Sequence, residues 1–355
     1  MKILSFILYP FALLYGLIVC VRNKLFDWGI MKSQSFDFPV ISVGNLSVGG
    51  TGKTPHVEYL IKLLKDDFKV ATLSRGYKRN TKGYLEAGIT SISDDVGDES
   101  VQKKQKFREV IVSVDENRVH GIKKIVGDHP ETEVVILDDA FQHRSVKPGL
   151  NILLTDFHKL YPENYPLPMG TLREFRSGAK RADIIVITKT FPTLSPITVR
   201  RITKLIKPCE HQGLYFSFIK HGKLTPVPGI EAASELPHKI NTILVFTGIA
   251  NMYPLDEHLG KMTNHMEKLH FKDHHKYTTR DLSRIRDTFE NIFTRDKIIV
   301  TTEKDAMRLF LPKIPDILKG LPIYYVPIEI KIHKDFRIAF NDQIVNYVRE
   351  NPGNN

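Results

Sequence analysis

Ser47-Val48-Gly49-Gly50-Thr51-Gly52-Lys53-Thr54 is the stretch whose residue types and spacing speak most directly of chemistry. A glycine-rich turn that ends in Lys-Thr and opens a helix directs its backbone N–H groups, and the helix N-terminus, at an anion such as a triphosphate. Lys53 is placed to meet the β- and γ-phosphates, and the Thr54 hydroxyl to hold Mg²⁺. Pro55 suits the first helical turn, where its missing N–H has no cost. An ordinary glycine turn is the plainer alternative. The flanks argue against it: Pro39-Val40-Ile41-Ser42-Val43 reads as a buried strand, and the apolar spacing from Val57 to Leu64 reads as a helix. The usual motif opens on Gly, and here Ser47 holds that position. Nucleoside triphosphate binding follows.

A second constellation, Val134-Val135-Ile136-Leu137-Asp138-Asp139, is an apolar strand running into two carboxylates. Hard divalent cations prefer oxygen ligands, so Asp138 and Asp139 suit the Mg²⁺ of a bound nucleotide. Gln142 and His143 follow on the same edge. Asp94-Asp95-Val96-Gly97-Asp98-Glu99 is an acidic cluster. It is either a solvated loop or the source of a carboxylate that orients and deprotonates an attacking hydroxyl. Arg75 and Arg173 are suited to clamp phosphate by paired hydrogen bonds, or equally to make structural salt bridges. His274 and His275 lie beside Asp273, but no further ligands at zinc spacing accompany them.

These residues need a sheet to gather them. Segments 70–73, 110–114, 134–137, 151–154 and 183–187 are short apolar strands separated by helical stretches, and several end in polar residues. That pattern predicts an α/β fold, a P-loop NTPase-like mostly parallel sheet with helices on both faces, whose carboxyl edge binds ligand. A break follows near Lys207-Pro208. Segments 214–219 and 224–227, around His221-Gly222, read as a two-stranded link. A second, smaller α/β domain then starts at Thr242. The expected division is 1–21 as a membrane-associated segment, 22–208 as the P-loop domain, and 209–355 as the link and second domain.

Lys plus Arg number 51 against 40 for Asp plus Glu, a net charge of +11, which favours a polyanionic partner. Ile3 to Val21 is a run of 19 residues without a charge, an apolar helix that either spans a membrane or lies in its interface. A membrane surface therefore suits the positive charge better than nucleic acid, and cytosolic ATP puts the body on the cytoplasmic side. Two cysteines, Cys20 and Cys209, give no disulfide framework.

Taken in order, the motifs resemble the tetraacyldisaccharide 4′-kinases of lipid A biosynthesis. They are Val43-Gly44-Asn45 with the P-loop through Pro55, Ser74-Arg75-Gly76-Tyr77, Val96-Gly97-Asp98-Glu99 and Asp138-Asp139-Ala140-Phe141-Gln142-His143. Leu172-Arg173-Glu174, Asp273-His274-His275 and Thr301-Thr302-Glu303-Lys304-Asp305-Ala306 complete the set. Ala140, Ser100 and Phe175 depart from the family's usual Gly, Pro and Pro, whereas Ser47 agrees with it. The resemblance implies transfer of the γ-phosphate of ATP, with Mg²⁺, to the 4′-hydroxyl of an acylated disaccharide 1-phosphate, giving lipid IV-A. It makes Asp98 the base, supported by His274 or His275, and puts Arg75, Gln142, His143, Arg173 and Glu174 along the substrate cleft. It implies the cytoplasmic face of the inner membrane in a Gram-negative-type bacterium, and it does not imply an oligomer. The rival reading is a membrane-associated regulatory P-loop ATPase acting on a protein partner. A GTPase would need an Asn-Lys-x-Asp segment, and the chain has none.

Overall fold

A computed structural model of the chain describes residues 2–230, 236–249, 252–273, 275–309 and 316–353. Its first sheet has nine strands in the order β14-β8-β7-β6-β1-β5-β2-β4-β3. They are β1 (Val40–Asn45), β2 (Val70–Ser74), β3 (Leu85–Glu86), β4 (Ile111–Val114), β5 (Val134–Asp138), β6 (Leu150–Asp156), β7 (Ile184–Thr188), β8 (Gly213–His221) and β14 (Ile328–Ile332). The strands are parallel except β3 and β14, which run antiparallel to their neighbours at the two edges. β1, β2, β5 and β7 are buried along their whole length, so each reads as an unbroken apolar run rather than an alternation. Helices α1 (Lys2–Asp27), α2 (Lys53–Leu64), α3 (Ser93–Val96), α4 (Asp98–Lys106), α5 (Arg118–Asp128) and α6 (Pro196–Ile206) belong to this half of the chain.

The second sheet has five strands in the order β11-β10-β12-β13-β9. They are β9 (Thr225–Pro226), β10 (Thr242–Thr247), β11 (His265–His270), β12 (Lys297–Thr302) and β13 (Ile323–Val326), with α7 (Tyr253–Leu259), α8 (Thr279–Glu290) and α9 (Glu303–Leu309). Thr278 and Asp281 close a reciprocal cap on α8.

The expected link does not form, and the sheets do not divide at residue 208. β8 lies parallel to β7 and antiparallel to β14 inside the first sheet, whereas β9 pairs with β13 in the second. The chain therefore crosses between sheets twice, side by side: outward after His221 and back at Pro327, where Gly222 N–H donates to the Pro327 carbonyl at 2.8 Å. The last helix, α10 (Lys334–Glu350), returns to the first core through Phe340, Ile344 and Val348. The two-residue β9 cannot satisfy the nine-residue β8, which is paired instead on both sides by β7 and β14, while β9 closes an edge of the second sheet.

α1 is longer than the apolar run. Ala12 and Gly16 face the body, and a Cβ at Gly16 would sit 2.4 Å from the Phe175 ring. Phe11, Leu13, Leu14, Leu17, Ile18 and Val21 are all more than half exposed.

Candidate active site

The P-loop leaves the carboxyl end of β1 and is held at both ends. Val48 N–H donates to the Thr171 carbonyl and Arg173 N–H to the Leu46 carbonyl, each at 2.7 Å. The Asn45 side chain donates to Thr51 Oγ1 at 2.8 Å. Gly49 (φ 106°) and Gly52 (φ 87°) adopt backbone that a side chain would strain, and space above Gly49 and Gly50 is open. Two braces were not foreseen. Buried His56 lies 2.7 Å (Nδ1) from the Gly52 carbonyl and 3.0 Å (Nε2) from Ser217 Oγ, so the neutral ring donates to the first and accepts from the second. Burial pushes its pKa down to about 4. Lys189, at the end of β7, donates to the Gly50 carbonyl and pairs with Asp156 at 2.8 Å.

The two aspartates after β5 part company. Asp138 is buried, with Oδ2 2.7 Å from the equally buried Lys103 ammonium on α4. Its Oδ1 is buried and finds no hydrogen-bond partner among the described residues. Asp139 turns away through a left-handed backbone (φ 51°) and meets Lys53 at 3.6 Å and Arg173 at 3.0 Å. Burial pushes the Asp139 carboxyl up, but Lys53 and Arg173 outweigh it and hold the pKa below the usual range. An orphaned carboxylate oxygen beside a P-loop fits a divalent cation. Among the described residues no cluster of three metal-binding side chains occurs.

The expected substrate residues share one edge. Gln142 donates to the Asn45 carbonyl and to Glu174, and accepts from Arg173. Glu174 is almost wholly buried, with oxygens on Gln142, Arg181 and Asn23 of α1, so it positions its neighbours. Arg75 is exposed at the end of β2. Burial, with Arg118 and Arg75 nearby, drives His143 down to about 4. Arg118, buried on α5, was not singled out from sequence. Its guanidinium donates to the Asp138 carbonyl at 3.2 Å, and burial lowers its pKa to about 10.

Asp98 opens α4, and its carboxylate takes a 2.8 Å ion pair from Arg308 on α9. The next residue, Glu99, has its pKa raised by burial and by the Asp138 charge, against the opposing pull of Lys103, Lys304 and Lys53. α4 is also tied to β5 through the Lys103–Asp138 pair. His275 is not on Asp98: its Nε2 lies 3.0 Å from Asp281, and its ring stacks on Phe271. His274 lies outside the described residues.

The family profile described as tetraacyldisaccharide-1-P 4′-kinase matches residues 4–345. The chain belongs to this family. A tetraacyldisaccharide 4′-kinase from Bacteroides thetaiotaomicron is 49% identical over 98% of this chain and 94% of that protein. One from Flavobacterium johnsoniae is 43% identical over 99% of each. The crystal structure of LpxK from Aquifex aeolicus in complex with ATP is 28% identical, with a TM-score of 0.73 over 97% of this chain and 99% of that one. As a tetraacyldisaccharide 4′-kinase the chain is an ATP- and Mg²⁺-dependent phosphotransferase with an alcohol acceptor, of lipid A biosynthesis. The regulatory-ATPase reading is not favoured.

Proposed function

We propose that the cleft between the P-loop edge and α9 carries out the 4′-phosphorylation with Lys53 on the transferring phosphate and Asp98 as base. The observation behind this is that Lys53 meets Asp139 at 3.6 Å, while the adjacent Asp138 is tied at 2.7 Å to Lys103 of α4, the helix that Asp98 opens. Asp98 takes the proton of the 4′-hydroxyl as its oxygen bonds to the γ-phosphorus. The bond from that phosphorus to the β,γ-bridging oxygen breaks, and its electron pair leaves with ADP. Thr54 and Asp138, with Asp139 behind them, would hold Mg²⁺, which supplies charge neutralisation when bound. Arg75, His143 and Arg173 line the acceptor side, with Gln142 and Glu174 fixing Arg173 and the surrounding loop. The supporting histidine is His274 or His275. Transfer of label from ATP to the disaccharide monophosphate in detergent tests the assignment. No labelled lipid would sink it.

The same reading sets the protein on the cytoplasmic face of the inner membrane, with α1 in the interface rather than across the bilayer. Tyr15 donates to the Arg173 carbonyl at 3.0 Å, Arg22 to the Gln142 carbonyl at 3.1 Å and Asn23 to Glu174 at 2.8 Å. A helix threaded through hydrocarbon would take those polar contacts with it. Its outward apolar face instead suits the headgroup boundary of an anionic leaflet. Removing residues 1–21 should leave a folded, ATP-binding body. Its residual flotation with anionic vesicles should fall with salt, whereas the full chain resists. Equal flotation of both at high salt would remove α1 from the membrane.

A further inference from the structure

We infer that Arg308, anchored by Asp305, is the positioning residue for the base, and that the second sheet holds Asp98 in place through α9. The Arg308 guanidinium divides between two carboxylates: Nε is 2.8 Å from Asp98 Oδ2 and Nη1 is 2.7 Å from Asp305 Oδ1. The Arg308 side chain is 5% exposed, so both contacts are shielded from solvent screening. Asp305 is fully buried, and its other oxygen accepts from Thr247 Oγ1 at 2.8 Å, Gly248 N–H at 3.1 Å and Thr302 Oγ1 at 2.7 Å. Those donors lie at the carboxyl ends of β10 and β12, so Arg308 is tied through Asp305 to the carboxyl edge of the second sheet.

α9 grips α4 at its other end as well. Glu303, at the start of α9, pairs with Lys106 at the end of α4, and Lys106 also reaches Glu58 of α2 at 2.7 Å. α4 is only nine residues long and begins at a glycine in left-handed backbone (Gly97, φ 84°). A short helix on such a hinge does not fix its first side chain unaided. Two ion pairs from one helix of the other sheet fix both its position and its rotation. The geometry assigns the second sheet a task in the chemical step: it aims Asp98. A general base works only within hydrogen-bond reach of its proton, and misplacement by about 1 Å costs on the order of 10²-fold.

This inference rests on the reading of Asp98 as base, and five variants of the full-length chain separate the two claims. With labelled ATP and disaccharide monophosphate in detergent, Arg308→Ala should lower kcat by roughly 10- to 100-fold and leave KM for ATP within about twofold. Arg308→Lys, which keeps the charge but not the two-pronged geometry, should recover part of the loss. Asp305→Asn should show a smaller fall in kcat, again with KM for ATP unchanged. In an Asp98→Asn background, Arg308→Ala should add little, because the residue it aims is already gone. Full losses that multiply in the double variant would overturn the positioning role, as would a rise in KM for ATP with kcat intact. Normal turnover of Asp98→Asn would overturn the base reading instead. If Arg308→Ala fails to fold, Arg308→Lys and Asp305→Asn decide: unchanged kcat in both defeats the inference.

Discussion

Lys53 and Asp98, paired in the proposed site, stand on different kinds of support. Lys53 stands on one continuous piece of chain, strand β1, a glycine turn and helix α2, with His56 of α2 and Lys189 after β7 bracing the turn. Asp98 stands on a short helix whose orientation is set from the other sheet, through Arg308 and Glu303 of α9. The phosphate corner is therefore assembled whenever the first sheet is folded. On the proposed reading, the base would be aimed only while the Arg308 contact from the second sheet holds. If the proposed roles hold, one fold would keep nucleotide binding and acceptor activation on separate mechanical footings.

The largest effect should come from the base. Asp98→Asn is expected to lower kcat by about 10²–10⁴-fold and to spare ATP affinity. A variant that loses ATP or Mg²⁺ binding instead would move Asp98 to the nucleotide side of the comparison. His275→Ala sharpens it further: with its ring tied to Asp281 and Phe271, the variant should lose far less turnover than Asp98→Asn. A loss of equal size, non-additive with Asp98→Asn, would mean that His275 leaves Asp281 to join the base.

On the phosphate side, Lys53→Ala removes a charge aligned with the transferring phosphate, and turnover should fall by about 10² or more. Its thermal midpoint should stay close to that of the parent, since the 3.6 Å pair to Asp139 has Arg173 as a second cation. Unchanged turnover would end the P-loop assignment.

Lys103 belongs to both sides, because it rises from α4 and pairs with Asp138 of β5, both side chains buried. Lys103→Met should destabilise the protein by about 3–5 kcal/mol in urea without Mg²⁺, as an uncompensated carboxylate is left in the core. Adding Asp138→Asn should restore part of that. If Lys103→Met costs nothing, Asp138 is neutral in the fold and the pair is not an ion pair.

The same contrast explains what could be read from the sequence. Strand β1, the P-loop and the β5 aspartates are contiguous, so periodicity and turn chemistry revealed them, and the parallel sheet with its ligand edge followed. The partners of those residues come from far along the chain and have no local pattern. Lys103 sits in a helix of low hydrophobicity, Arg118 and His56 look like ordinary helical polar residues, and Arg308 is 210 positions from Asp98. The return of β14 and α10 to the first sheet was hidden for the same reason. β14 is five residues of mixed burial, and only its pairing with β8 shows where it belongs. The domain boundary drawn at 208 failed because a break in composition marks a loop, not the sheet to which the next strand is added.

His56 gives the finest test of the phosphate corner's independence. Its ring is buried, and desolvation leaves it with a pKa of about 4 against 6.5 for the free side chain. Because the folded value is the lower one, the unfolded chain binds the extra proton first as pH falls. Stability contributed by the neutral ring is therefore complete above pH 6.5, declines as pH drops toward 4, and is gone below. At about 1.4 kcal/mol per pH unit the loss is at most about 3 kcal/mol across that window. His143 and His221 have pKa values lowered in the same sense, so the parent alone does not isolate the effect. His56→Asn keeps a donor for the Gly52 carbonyl and cannot titrate. The difference in urea midpoint between parent and variant should shift in the variant's favour from pH 6.5 to 4 and stay level above 7. A difference that does not change with pH would mean that the ring is no longer a buried neutral brace when it protonates, and that the turn stands without it.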